Sequence, residues 1–80
     1  MFHVYILISE KDKGIYIGKT NNVKRRFTEH NAGQVSSTKS RRPFKLLKIF
    51  NCSSEKEALD LEKEYKKGFR REEIKREFGL

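Results

Sequence analysis

Eighty residues leave room for one small domain spanning residues 1–80. Charged residues make up 38% of the chain against 35% apolar, and 19 Lys and Arg over 11 Asp and Glu give a net charge of +8. That excess points to a polyanionic partner, nucleic acid or an acidic membrane surface. No apolar run approaches the ~20 residues of a membrane span, which excludes an integral membrane protein. Met1 to Ile8 is apolar but lacks the basic region and small-residue cleavage site of a signal peptide. Cys52 is alone, so no internal disulfide forms, and a reducing cytoplasm is the expected location. One Cys and two scattered His give no zinc-finger spacing.

The first element is Phe2 to Ile8, β-branched and aromatic, which reads as a strand. Ser9 to Gly14 is turn material, and Ile15 to Lys19 reads as a second strand, so an antiparallel hairpin is expected. Both strands are apolar on both faces, which predicts a covering on each side. Thr20 or Asn21 caps a helix running from about Asn22 to Asn31, and Gly33 ends it. Gln34 to Arg42 is Ser- and Lys-rich without periodicity and reads as a mobile basic loop. Phe44 to Phe50 is the third strand. Ser53 and Ser54 offer caps for a second helix to about Lys67, with Glu57 completing a capping box on Ser54. Gly68 breaks that helix, and Arg70 to Phe78 forms a short charged one. The order β-β-α-β-α-α describes an α+β domain.

Some polar residues fall on faces that should be apolar. At 100° per residue, Val23, Arg26, Phe27 and His30 share one stripe of the first helix. On the second helix Ala58, Leu61 and Tyr65 form the apolar stripe, and Glu62 falls on that same side. An ionised carboxylate bordering a core needs a cation, a metal ion or an arginine such as Arg26. The bland alternative for the first helix is an Arg26 that snorkels and a His30 that is merely satisfied. For the second it is a buried Glu62–Arg26 ion pair without chemistry. Tyr5 and Tyr16 lie on adjacent strands, and Gly18 shares the face of Tyr16. A glycine inside a strand signals a close approach to the backbone. Lys19 closes that strand. Together Tyr5, Tyr16, Gly18, Lys19, Arg26, His30 and Glu62 describe a phosphate-handling pocket in a basic domain.

Three segments then resemble a known family. Val4-Tyr5-Ile6-Leu7, Gly14-Ile15-Tyr16-Ile17-Gly18-Lys19-Thr20 and Arg25-Arg26-Phe27-x-Glu29-His30-Asn31-x-Gly33 are similar to the GIY-YIG nuclease domain. Arg42-Pro43-Phe44-Lys45-Leu46 and Glu57-Ala58-Leu59-x-x-Glu62-x-x-Tyr65-Lys66-Lys67 fit its small stand-alone members. The resemblance implies a small three-stranded antiparallel sheet flanked by helices. It implies that Tyr5 and Tyr16 line an active site, that Arg26 contacts the scissile phosphate, that His30 stands one helical turn on, and that Glu62 binds one divalent metal. Lys19 matches a lysine that often follows the second motif. Two departures are visible: His3-Val4-Tyr5 replaces Gly-Ile-Tyr, and Ile74 stands where several members carry an asparagine.

Chemically, such a set suits metal-dependent hydrolysis of a phosphodiester. One carboxylate and several waters satisfy Mg²⁺ or Mn²⁺, giving a single-ion site at Glu62. Arg26 would clamp a non-bridging phosphate oxygen. A tyrosine general base is unusual at a pKa of ~10, but a neighbouring Lys19 or Arg26 favours the phenolate. Tyr5 and Tyr16 are both candidates for that base, and His30 relays a proton or holds a tyrosine in place. Lys39, Arg41, Arg42, Lys45 and Lys48 would grip the nucleic-acid backbone without reading sequence. The expected partner is DNA, not a membrane, with a larger host protein or complex supplying targeting. The leading rival is a nucleic-acid-binding module on the same fold without cleavage. A second rival is a small RNA-associated protein of unrelated fold. Metal-dependent nicking of plasmid DNA, lost on Glu62→Ala, separates the first reading from the rivals.

Overall fold

Why the first two segments pair is visible in the turn that joins them. In the computed structural model, which describes all 80 residues, β1 (Phe2–Ser9) and β2 (Ile15–Thr20) form the expected antiparallel hairpin. Ser9 Oγ accepts from the amides of Lys11 and Asp12, and the Asp12 carboxylate accepts from Gly14 N at 2.7 Å. Lys13 takes a left-handed φ of 62° to close the turn. β3 (Phe44–Cys52) pairs antiparallel with the other side of β1, so the sheet order is β2-β1-β3. Central placement explains why β1 is apolar on both faces.

On one face Val4, Ile6, Ile15, Ile17 and Cys52 pack against Ala58 of α2 (Glu55–Tyr65) and Ile74 of α3 (Gly68–Glu77). On the other, Tyr5, Leu7 and Phe44 pack against Val23 and Phe27 of α1 (Val23–Asn31). A sheet covered on both faces confirms the expectation drawn from the strands.

Several boundaries shift for local reasons. Asn22, rather than Thr20 or Asn21, caps α1 and accepts from Arg25 N, because Thr20 Oγ1 is engaged with Asn22 N. Ser54 caps α2, but Glu57 reaches back to Ser53 N and Oγ instead of Ser54, so the capping box is displaced by one residue. α2 ends at Tyr65, not Lys67, and Gly68 opens α3 rather than separating it from the preceding helix by a coil. The segment 34–42 is pinned rather than free. Thr38 is fully buried within it, a 3-10 turn runs over Lys39–Arg41, and Ser9 Oγ donates to Arg41 O at 2.6 Å.

Candidate active site

Register brings the two tyrosines together. Tyr5 stands opposite Gly18 and Leu7 opposite Tyr16, so both phenols emerge on the α1 face, with ring centroids 6.3 Å apart. Gly18 is required there. A Cβ at that position would collide with Cζ and the hydroxyl of Tyr5, so the close approach foreseen for this glycine is by Tyr5 itself. His30, in the last turn of α1, turns inward and is fully buried. Its ring meets Tyr16 edge-on at 4.9 Å and Tyr5 at 5.8 Å.

A chain of hydrogen bonds runs through this cluster. Thr38 Oγ1 donates to Val35 O at 3.3 Å, which leaves its oxygen to accept from His30 Nδ1 at 2.8 Å. With the ring proton on Nδ1, His30 Nε2 accepts from the Tyr5 hydroxyl at 2.9 Å. Burial pushes the Tyr5 pKa up to about 12, the Tyr16 hydroxyl nearby adds to the rise, and Arg26 pulls the other way. Burial also lowers the His30 pKa, with Arg26 contributing, so the imidazole is held neutral. Thr38 was hidden in a segment without periodicity, and its role had no sequence signal.

Arg26 lies beside Tyr5 with its side chain 37% exposed, and donates to Glu29 at 3.1 Å. That hydrogen bond to Glu29 raises the Arg26 pKa further. Glu62 does not pair with Arg26: its side chain is 16% exposed, its cation is Lys66 at 3.5 Å, and its charge is felt by Tyr5. The inert Glu62–Arg26 pair weighed from sequence is therefore absent. No three His, Cys, Asp or Glu side chains gather anywhere in the chain. A lone carboxylate suits a hard cation that keeps most of its waters, as Mg²⁺ or Mn²⁺ does, and not zinc with its closed set of protein ligands. Lys19 pairs with Val4 in the register, so it shares the α2 face, where it meets Glu55 at 3.5 Å. The structure thus gathers Tyr5, Tyr16, Arg26 and His30 on the α1 face, carries Glu62 on α2, and holds Lys19 on the α2 face.

The basic residues expected to grip a backbone do not form one surface. Lys45 pairs with Glu10 at 3.3 Å and Lys48 with Glu77 at 2.9 Å, both on β3, the edge opposite Tyr16. Arg41 holds the Asp12 carboxyl down at about 2 through a 2.8 Å bond. Arg42 donates to Lys39 O and lies over Gly33. An open cleft of about 510 Å³ runs instead along β2, lined by Gly14 to Ile17 with Arg41, Lys66, Arg71 and Lys75. Tyr16 belongs to both the cleft and the ring cluster. Arg71 and Lys75, one helical turn apart on α3, were not singled out from sequence, although their spacing places them on one face.

Ile74, at the position where several family members carry asparagine, is 3% exposed and belongs to the core under β1. Among known proteins, the GIY-YIG catalytic domain matches residues 1–76. A UPF0213 protein of Staphylococcus haemolyticus is 38% identical over 74 residues, covering 91% of this chain and 90% of its own length. One from Syntrophus aciditrophicus is 40% identical over 74 residues, covering 90% and 84% respectively. The solution structure of the UPF0213 protein BH0048 from Bacillus halodurans superposes with a TM-score of 0.56 at 35% identity, over 92% of this chain and 82% of that one. Sheet order, paired tyrosines and these similarities agree, and the chain belongs to the GIY-YIG family, whose catalytic domain suggests a nuclease, within its small UPF0213 branch.

Proposed function

We propose that the protein is a divalent-metal-dependent endonuclease that hydrolyses phosphodiester bonds in DNA. The observation that carries this reading is the convergence of Tyr5, Tyr16, Arg26 and His30 in one cluster. A Mg²⁺ or Mn²⁺ ion at Glu62 would supply Lewis-acid stabilisation of the phosphate charge. The guanidinium of Arg26 binds a non-bridging oxygen and answers the charge that grows there in the transition state. Glu29 holds that guanidinium in place.

The environments of the two tyrosines divide their roles. Tyr5 is buried, has its pKa raised and donates to His30, so it remains a phenol that fixes the geometry of the cluster. Tyr16 is half-buried at the wall of the open cleft, where solvent reaches it. In its phenolate form it takes the proton from the attacking water, becoming the phenol, as that oxygen bonds to phosphorus and the ester P–O bond breaks. The leaving alkoxide takes up a proton from solvent.

Nicking of supercoiled plasmid in Mg²⁺ or Mn²⁺, abolished by EDTA and by Glu62→Ala, tests the proposal. Cleavage that persists in Glu62→Ala contradicts it. One observation favours the second reading, a binding module without cleavage: Ile74 fills with packing a position where the resemblance implies an asparagine in several members of the wider family. Salt-sensitive DNA binding with no nicking in either metal supports that reading.

A further inference from the structure

The cleft along β2 combines three properties. It lies on a free sheet edge, four cations line it with no carboxylate among the lining residues, and it opens onto Tyr16. We propose that it holds the sugar-phosphate backbone of a single DNA strand next to the reacting phosphate, with Arg71 and Lys75 as its phosphate contacts. The adjoining reaction rests on the nuclease reading above; the binding claim does not require cleavage.

Charge availability separates these residues from the rest of the basic surface. The close acid partners on α3 go to other cations, Glu73 to Arg70 at 3.0 Å and Glu77 to Lys48 at 2.9 Å, while Glu72 reaches Lys75 only at 3.9 Å. Arg71 is left without a carboxylate partner, and the Lys75 pair is at the limit of contact. Lys45 and Lys48, by contrast, are neutralised on the far edge. Helix composition points the same way. α3 buries only Ile74, so packing accounts for little of its sequence, whereas Arg71 and Lys75 share the face that borders the cleft. Lys66 joins the two regions, since it lines the cleft and touches Glu62.

A cleft of about 510 Å³ falls in the range that holds one mid-sized molecule (~300–1,000 Å³), room for a stretch of one sugar-phosphate backbone. A basic groove that tracks one backbone is the usual way to bind a single strand without reading its sequence. The plainer role for these cations is to shield the β2 edge from pairing with other chains, and the experiment separates the two.

The test is fluorescence anisotropy with a labelled single-stranded oligonucleotide in EDTA, over a series of salt concentrations. It compares the parent protein with Arg71→Gln plus Lys75→Gln and with Lys45→Gln plus Lys48→Gln. All three should melt alike by circular dichroism, because the four side chains lie at or near the surface. The α3 pair should weaken binding and reduce the slope of log affinity against log salt by about 0.7 per lost contact. The β3 pair should change both far less. Unchanged binding in the α3 pair, or an equal loss in the β3 pair, overturns the cleft assignment. Plasmid nicking is read separately. Absent nicking with the α3-specific binding loss removes the nuclease reading and leaves the cleft; nicking without that loss does the reverse.

Discussion

The Tyr5 hydroxyl donates to His30 Nε2 across 2.9 Å, tying the central strand to α1 between residues 25 apart in sequence. The bond is fully buried and is oriented by Thr38, which accepts from the other ring nitrogen. One hydrogen bond therefore fixes a tautomer, a strand-helix contact and the position of a phenol.

Tyr5→Phe keeps the ring but leaves His30 Nε2 facing an apolar edge. Loss of a partner for a buried polar atom typically costs about 1–3 kcal/mol. Urea unfolding should show a loss of that size. A change near zero would mean that water replaces the hydroxyl and the chain through His30 does not bear on stability.

His30 also sets a pH dependence. Its folded pKa is lowered by burial and by Arg26. A base whose folded pKa lies below its unfolded value takes up a proton more readily when unfolded. Its contribution to stability is therefore complete above the unfolded pKa of ~6.5, and is lost as pH falls from there towards the folded value. Asp12 acts in a separate window, from about 4 downwards, since Arg41 holds its carboxyl at about 2. Thermal melts between pH 8 and 5 should decline in the parent protein and flatten in His30→Gln. Parallel profiles for the two would contradict the assignment.

Gly18→Ala puts a methyl group where the Tyr5 ring lies. Overpacking of this kind commonly costs about 1–3 kcal/mol, and here the strain falls on a site residue. The variant should lose stability, and any cleavage should fall further than the fraction of folded protein does. Calorimetry with a nicking assay on the same sample reads both. Full activity in a stably folded Gly18→Ala would show that the Tyr5 position is not critical.

Arg26→Ala should remain folded, since its side chain is more than one-third exposed, while the saturated cleavage rate drops by about 10²–10³. Its affinity for DNA should change modestly. Glu62 should bind Mg²⁺ weakly in the absence of DNA, because a single carboxylate leaves most of the coordination shell to water. Tight Mg²⁺ binding in a titration of the free protein would show additional ligands at that site.

Much of this site was legible along the chain because it follows local periodicity. Period 2 in the strands put Tyr16 and Gly18 on one face, and helical spacing put Arg26 and His30 on the buried stripe with Val23 and Phe27. Glu62 was visible as a carboxylate on an apolar stripe. Thr38 was not visible, because a residue in an aperiodic segment gains its meaning only from what that segment is folded against.

The sequence alone determined the element order, the covering of the hairpin strands on both faces and the candidate residues, all of which follow from patterns within a segment. Tertiary structure decided the pairings. It kept Arg26 and Glu62 apart, leaving each to a neighbour on its own helix, Glu29 and Lys66, and turned Lys19 to Glu55 on the α2 face. It neutralised Lys45 and Lys48 on β3 and left Arg71 open beside Tyr16. Long charged side chains reach several neighbours at similar distances, so which acid meets which base between segments is set by strand register and helix placement, and neither is encoded within any one segment.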